Sequence, residues 1–453
     1  MAMKYKSTLI AAVAAASAVV MALSGCGSSV SASGGGDDPI LAPKGEKVSI
    51  TLNWWGSDAR VKLTESAVKR FEQANPNIHV DMQYSDWGGY WDKLATSVAG
   101  DNAPDVMQMD ESYFSSYASQ GSLYDLSKVS KYLDLGNMAV ENKKAGQIDG
   151  KQYAAETSVT LIGVIVNMDI LEKLGITLPD TSKWTWKEYE DVCQQVVDKS
   201  NGQYVGTQPT FGGYDFQLWQ RQHGKRTMFT GNKVTIDKKL MSDYMQKAYD
   251  WTHGKNPIAG SPDRWSEQFS AVNGTLQDSD MAKGKQAFSF GSGGLSSQLA
   301  QYAKALGTEN FKIVPMPADK SASKKYYYMK PGMYWSMSAK TKHPAESAKL
   351  IDFLINDDET GKEFGTDRGI PSNKKIRKEL DSVANPLDKQ LFAFVDQMSK
   401  ISGPNPDPTP NGASGFTNAF LRKLQDVVFD KSKPDKAADE LISEIQNSVD
   451  TAS

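Results

Sequence analysis

The sequence predicts an α/β fold built on mainly parallel sheet, and three observations carry that expectation. Apolar residues alternate at Val48, Ile50 and Leu52, and again at Ile78, Val80 and Met82, the period-two pattern of half-buried strands. Between these runs Leu63, Ala67 and Phe71 recur at helical spacing. A second helical pattern at Tyr90, Leu94 and Val98 leads to a third strand, Val106-Met107-Gln108-Met109. The order β-α-β-α-β calls for a layered sheet with right-handed crossovers.

Local signals delimit the elements. Asn75-Pro76 stops the first helix, Gly100 ends the second, and Pro104 precedes the third strand. Leu161 to Val166 is a nearly continuous apolar run, read as a buried strand that ends in Asn167. Thr185-Trp186-Lys187-Glu188 opens a helix with a capping box. Phe288-Ser289-Phe290 is a strand meeting the turn Gly291-Ser292-Gly293-Gly294. Ala348, Ile351, Phe353 and Leu354 mark a late helix, and Pro404 to Pro410 a proline-rich loop. Phe420, Leu424 and Val428, then Leu441 and Ile445, give closing amphipathic helices. No internal repeat is visible.

The N-terminus assigns a place. Lys4 and Lys6 precede an apolar stretch from Leu9 to Leu23, the parts of a secretory signal. Leu23-Ser24-Gly25-Cys26 resembles the lipobox of bacterial lipoproteins, which implies cleavage after residue 25 and a lipid on the Cys26 sulfur. Each buried acyl CH₂ adds about 0.8 kcal/mol of membrane binding, so more than one chain makes a stable tether. Residues 26–46, rich in Ser and Gly, read as a flexible tether. Losing 25 of 453 residues leaves 428, enough for two lobes with proper cores. Loss of Lys4 and Lys6 takes the formal charge from −3 to −5, which gives no electrostatic case for nucleic acid. The other cysteine, Cys193, sits in a helical pattern, so no disulfide framework exists.

In open α/β sheets, ligands sit beyond the carboxyl ends of the strands. Here those ends carry Asn53-Trp54-Trp55-Gly56-Ser57-Asp58, Tyr84-Ser85-Asp86-Trp87 and Asp110-Glu111-Ser112-Tyr113. Aromatics beside carboxylates suit sugar rings, which have apolar CH faces and hydroxyl rims. Trp91, Trp184, Trp186 and Trp251 lie in or beside amphipathic helices and read as core. The four histidines show no zinc spacing, and neither a nucleophile elbow nor a phosphate loop is present. Asp110 and Glu111 are adjacent in the chain, which counts against them as a glycosidase pair; one of them is expected to accept ligand hydroxyls. No cofactor and no metal are expected.

From Val48 onward the chain resembles the family 1 extracellular solute-binding proteins of ABC importers, relatives of maltose-binding protein. The resemblance rests on Trp54-Trp55-Gly56, on Phe71 with Asn77-Ile78 and Val80, and on Tyr90, Lys93-Leu94, Thr96, Ala99-Gly100 and Ala103-Pro104-Asp105-Val106. Val166-Asn167 with Asp169, Trp186 with Tyr189, Ala287-Phe288, Gly332 with Trp335, Lys342-His343-Pro344 and Arg368-Gly369-Ile370-Pro371 continue it. It implies two α/β lobes joined by a hinge that the chain crosses three times. The first lobe would hold residues 46–157 plus 337–370, the second 158–336 plus 371–453. It also implies a monomer on the outer face of the cytoplasmic membrane, delivering an oligosaccharide to permease subunits without chemistry. Carried over by position, ligand contacts would fall on Trp54, Trp55, Asp58, Trp87, Asp110, Glu111, Tyr214, Trp219 and Trp335, with Trp265 a further aromatic. Where many members place a stacking Trp after the Ala287-Phe288 strand, this chain has Gly293-Gly294, which argues against maltose-like recognition. Two rivals remain at this level, a surface glycosidase and a receptor for a non-sugar solute.

Overall fold

Strand β1, Val48–Trp55, lies inside the main sheet, and helix α1, Asp58–Ala74, follows it. This is a computed structural model describing residues 39–452 apart from 57, 139, 209–211, 265–275, 292–293 and 324, with only the backbone of 140, 141 and 214. Cys26, its lipobox and Trp265 therefore lie outside the described residues.

Helix α1 buries Val61, Thr64, Ala67, Val68 and Phe71, a stripe at three- and four-residue spacing that packs on the sheet. It stops where the Asn75 side chain donates back to the Phe71 carbonyl at 2.9 Å, with Pro76 next. Strand β2, Ile78–Ser85, pairs with β1 in parallel along its whole length, from Val48 opposite Ile78 to Trp55 opposite Ser85. Asp86 caps helix α2, Trp87–Ala99. Strand β3, Val106–Met109, also runs parallel to β1, and Asp110 caps helix α3, Glu111–Ser119.

Beyond these three strands the expectation of mainly parallel sheet is corrected. The strand Lys330–Met337 enters antiparallel to β3 and to Ala154–Thr160, and Ile370–Pro371 pairs antiparallel on the far side of Ala154–Thr160. A chain that leaves along one strand and returns beside it makes an antiparallel pair without a crossover helix. The second sheet, with Val164–Asn167 between Phe288–Phe290 and Phe311–Val314, is antiparallel throughout. At Gly369 (φ +104°) an added Cβ would meet Ser158 Oγ at 2.9 Å and the Val159 carbonyl at 3.0 Å, so the Ile370–Pro371 strand can dock only behind a glycine.

Buried side chains form separate cores. One joins Ile50, Leu52, Trp54, Phe71, Trp335, Met337 and Ile351 on one face of the main sheet. Another joins Trp55, Tyr90, Trp91, Met107, Phe114 and Tyr334 on the other. The largest surrounds the second sheet and includes Val164, Trp186, Tyr189, Trp219, Phe288, Phe420 and Leu441. Thr185 and Glu188 make the reciprocal capping bonds read from the sequence, at 3.2 and 2.7 Å. Among the described residues no helix is long and apolar enough to cross a membrane.

Candidate functional site

The carboxyl ends of β1, β2 and β3 all reach one edge of the sheet, because the three strands are parallel. Trp55, the last residue of β1, meets Trp87 edge-on with centroids 5.1 Å apart, and Trp91 at 5.5 Å. Trp87 opens α2, and Trp91 stands four residues further on the same helix face, 5.5 Å from it. Tyr113, in the first turn of α3, stacks on Trp91 at 3.7 Å with planes 11° apart. These four rings form a nest: Trp55 and Trp91 are buried in it, 6% exposed each, and Trp87, 45% exposed, is its open ring. Tyr84 on β2, 52% exposed, lies on the other face of the sheet, its ring 5.7 Å from Trp54.

Sequence position put Trp54 and Trp55 together in a loop; β1 runs through both, and that separates them. Successive side chains of a strand point to opposite faces. Trp55 therefore faces the nest, while Trp54 is fully buried on the other face, against the core that also holds Phe71 and Trp335. Trp54 is thus corrected from a ligand platform to a core anchor. Trp335 receives the same correction: it lies within Lys330–Met337, has no exposed surface, and carries the Arg368 guanidinium 5.8 Å from its ring.

Carboxylates border the nest. Asp86 Oδ1 accepts the Gly89 amide at 2.7 Å and Asp110 Oδ1 accepts the Ser112 amide at 2.9 Å, so each cap leaves Oδ2 for another donor. Asp58 is exposed in the first turn of α1, where the helix dipole favours an acid. Glu111 turns inward, its Oε2 3.2 Å from Lys330 Nζ. Burial raises the Glu111 carboxyl above its usual range, against the pull of Lys330. Burial works against the Lys330 ammonium too, but Glu111 and Asp110 more than offset it and its pKa is raised.

Behind this pair sits Glu156, fully enclosed. Its Oε1 accepts Ser372 Oγ at 2.5 Å and Asn142 Nδ2 at 2.6 Å. Burial pushes its pKa up to about 8 in spite of those two bonds. Glu156, Lys330 and Ser372 come from three chain segments that meet here, on and beside Ala154–Thr160, Lys330–Met337 and Ile370–Pro371. Below the nest Arg60 donates to the Trp55 carbonyl at 3.2 Å and to Asp367 at 2.7 Å, fixing the end of β1.

Trp219 does not join this site. It lies in the helix Gly213–Gln222, packs 5.3 Å from Trp186, and helps wall a separate groove of about 910 Å³ bordered by Asp191, Asp243 and Asp250. The Lys247 ammonium, held by Glu190 at 2.6 Å, covers the rings of Trp186, Trp219 and Trp251. Of Tyr214 only the backbone, in that same helix, is described. Trp91, read as core from the sequence, is buried as expected; sequence reasoning missed Lys330 and Glu156. No local pattern marks a lysine or glutamate paired across the fold. No group of three or more His, Cys, Asp and Glu arranged to hold a metal occurs among the described residues.

An α/β fold whose strand ends gather aromatics and carboxylates at one sheet edge is that of a ligand-binding protein, and its architecture is the two-lobe one of periplasmic solute receptors. The chain belongs to the bacterial extracellular solute-binding protein family, whose signature matches residues 66–388. It is 23% identical over 406 residues to the multiple sugar-binding protein of Streptococcus mutans, covering 84% of this chain and 89% of that one. A solved family 1 extracellular solute-binding protein from Alicyclobacillus acidocaldarius superposes with a TM-score of 0.66 at 25% identity, over 89% of this chain and 99% of its own. A periplasmic oligogalacturonide-binding protein from Yersinia enterocolitica, in complex with saturated digalacturonic acid, gives 0.70 at 22% identity, over 90% and 100%.

Proposed function

We propose that this protein captures an oligosaccharide in a cleft between two lobes and passes it unaltered to an ABC import permease. The observation that carries this reading is the nest of Trp55, Trp87, Trp91 and Tyr113, bordered by the free oxygens of Asp86 and Asp110. The exposed Trp87 ring, held by the others, supplies apolar area for a sugar face, and the carboxylates accept hydroxyl donors around the rim. The sugar-binding role named for the Streptococcus mutans relative supports the same ligand class.

The first lobe comprises 46–157 plus 337–370 and the second 158–336 plus 371–453; closure on the ligand follows from tighter binding by the closed form. The mature chain is a monomer tethered by lipid on Cys26 to the outer face of the cytoplasmic membrane. Calorimetry against a panel of neutral and acidic oligosaccharides tests the ligand class, and chromatography of the recovered sugar tests the absence of turnover. Saturable binding with intact sugar is expected; cleavage products would establish the glycosidase instead. Cells fed labelled palmitate are expected to yield a labelled protein and to lose the label with Cys26→Ser; an unlabelled wild-type protein would refute the lipid anchor.

A further inference from the structure

On the face of the main sheet away from Trp55, Arg368 is 5% exposed and carries more charge than its neighbours balance. Its guanidinium lies 4.5 Å from the centre of the Phe364 ring and 5.8 Å from that of Trp335. Nη2 donates to Thr64 Oγ1 at 2.7 Å and Nε reaches Gln108 Oε1 at 3.5 Å, both neutral acceptors. Nη1 makes no hydrogen bond; the carboxylate facing it, Asp367, stands 3.6 Å off and already takes Arg60 at 2.7 Å. One carboxylate thus serves two buried guanidinium groups. Burial and the Arg60 charge push the Arg368 pKa down to about 9, and Asp367 only partly opposes them. A buried charge without a counter-charge is costly, and an anion in contact with it removes that cost.

The space for one is at hand. A cavity of about 30 Å³ is walled by Arg368, Trp335, Phe364, Leu354, Ile355 and Ile376. The other polar side chains in its wall are engaged. Thr157 bonds the Met333 carbonyl, Ser158 the Arg368 carbonyl and Asn373 the Ile355 carbonyl. Two buried groups in the wall lack partners, Nη1 of Arg368 and Nε1 of Trp335, and both are N–H donors. The volume holds one water-sized particle and nothing polyatomic. A water accepts from both donors yet leaves the surplus charge uncompensated; a halide does both. We infer that this cavity is a site for one monatomic anion, chloride in a saline medium, separate from the sugar site. The ion braces the junction where Ala154–Thr160, Lys330–Met337 and Ile370–Pro371 meet.

Two measurements on the mature protein test the site, neither with sugar present. Crystals soaked in sodium bromide are expected to show an anomalous bromine peak in the cavity, against Arg368 Nη1. The melting temperature is expected to rise with the logarithm of sodium chloride concentration. It should stay lower in sodium gluconate of equal ionic strength, whose anion is too large for the cavity. Trp335→Phe keeps a ring beside the guanidinium and removes one donor; it is expected to shrink the chloride-over-gluconate difference at least twofold. No bromine peak there, equal melting temperatures in the two salts, or a difference that Trp335→Phe leaves whole would each overturn the site. Such a failure would leave the carbohydrate reading untouched.

Discussion

Trp54 and Trp55 are neighbours with opposite fates, and the difference is one of strand parity. Trp87→Ala removes the open ring of the nest and is expected to weaken sugar binding by at least about 1 kcal/mol, roughly fivefold in Kd; Trp55→Ala, at a buried position behind it, is expected to cost stability as well. Because Trp87 is nearly half exposed, its loss should leave the melting temperature almost unchanged. Trp54→Ala empties a fully buried position and is expected to cost about 3–5 kcal/mol of stability. Calorimetric affinity and thermal denaturation of the three variants check the split. A Trp54→Ala protein that is stable yet unable to bind would reverse the assignment. The sequence was legible here as a concentration of aromatics at strand ends. Which of two adjacent tryptophans faced Trp87 was not, because β1 continues three residues past Leu52, where the apolar alternation was read to end.

Among the elements, the strands at the ends of the long connections carry the least local information and the most consequence. β1, β2 and β3 alternate with helices, so their parallel sense follows from chain order. Nothing local says that Lys330–Met337 comes back antiparallel, since its partners lie far away in sequence. The same long-range meeting buries Glu156 against Ser372 and Asn142, and it yields a pH signature. With its pKa raised from the ordinary 4.5 to about 8, native Glu156 retains a proton that the unfolded chain releases. Stability is therefore lost as pH rises between those values. Relative to Glu156→Gln, which cannot ionise, the wild-type melting temperature is expected to fall from about pH 5 to about pH 8 and then level off. Parallel pH profiles for the two proteins would mean that Glu156 is ionised in the native state. Gly369→Ala probes the same junction: a Cβ there meets Ser158 and Val159 in a conformation that favours glycine, so a drop in melting temperature is expected. An unchanged melting temperature would show that Ile370–Pro371 can shift at no cost.

For the whole molecule, the fold class and the sheet edge that carries the candidate site were legible from periodicity and the order of elements. The second core was legible only as apolar segments, and its aromatics misled. Trp219 has the residue type of a sugar platform but packs among Trp186, Tyr244 and Lys247, a context that only the folded chain supplies. Helix α3 also touches the proline-rich segment, where Ser119 Oγ donates to Asn411 at 3.2 Å and Ser115 bonds the Thr409 carbonyl. These contacts between α3 and residues near the C-terminus are expected to change if two halves close on a ligand. The most direct measurement is a calorimetric titration of the mature protein with neutral and acidic oligosaccharides, with X-ray scattering of the same samples and recovery of the sugar afterwards. The account predicts saturable binding, a smaller radius of gyration and unaltered sugar. A full panel with no heat of binding, or a sugar returned in fragments, would contradict it.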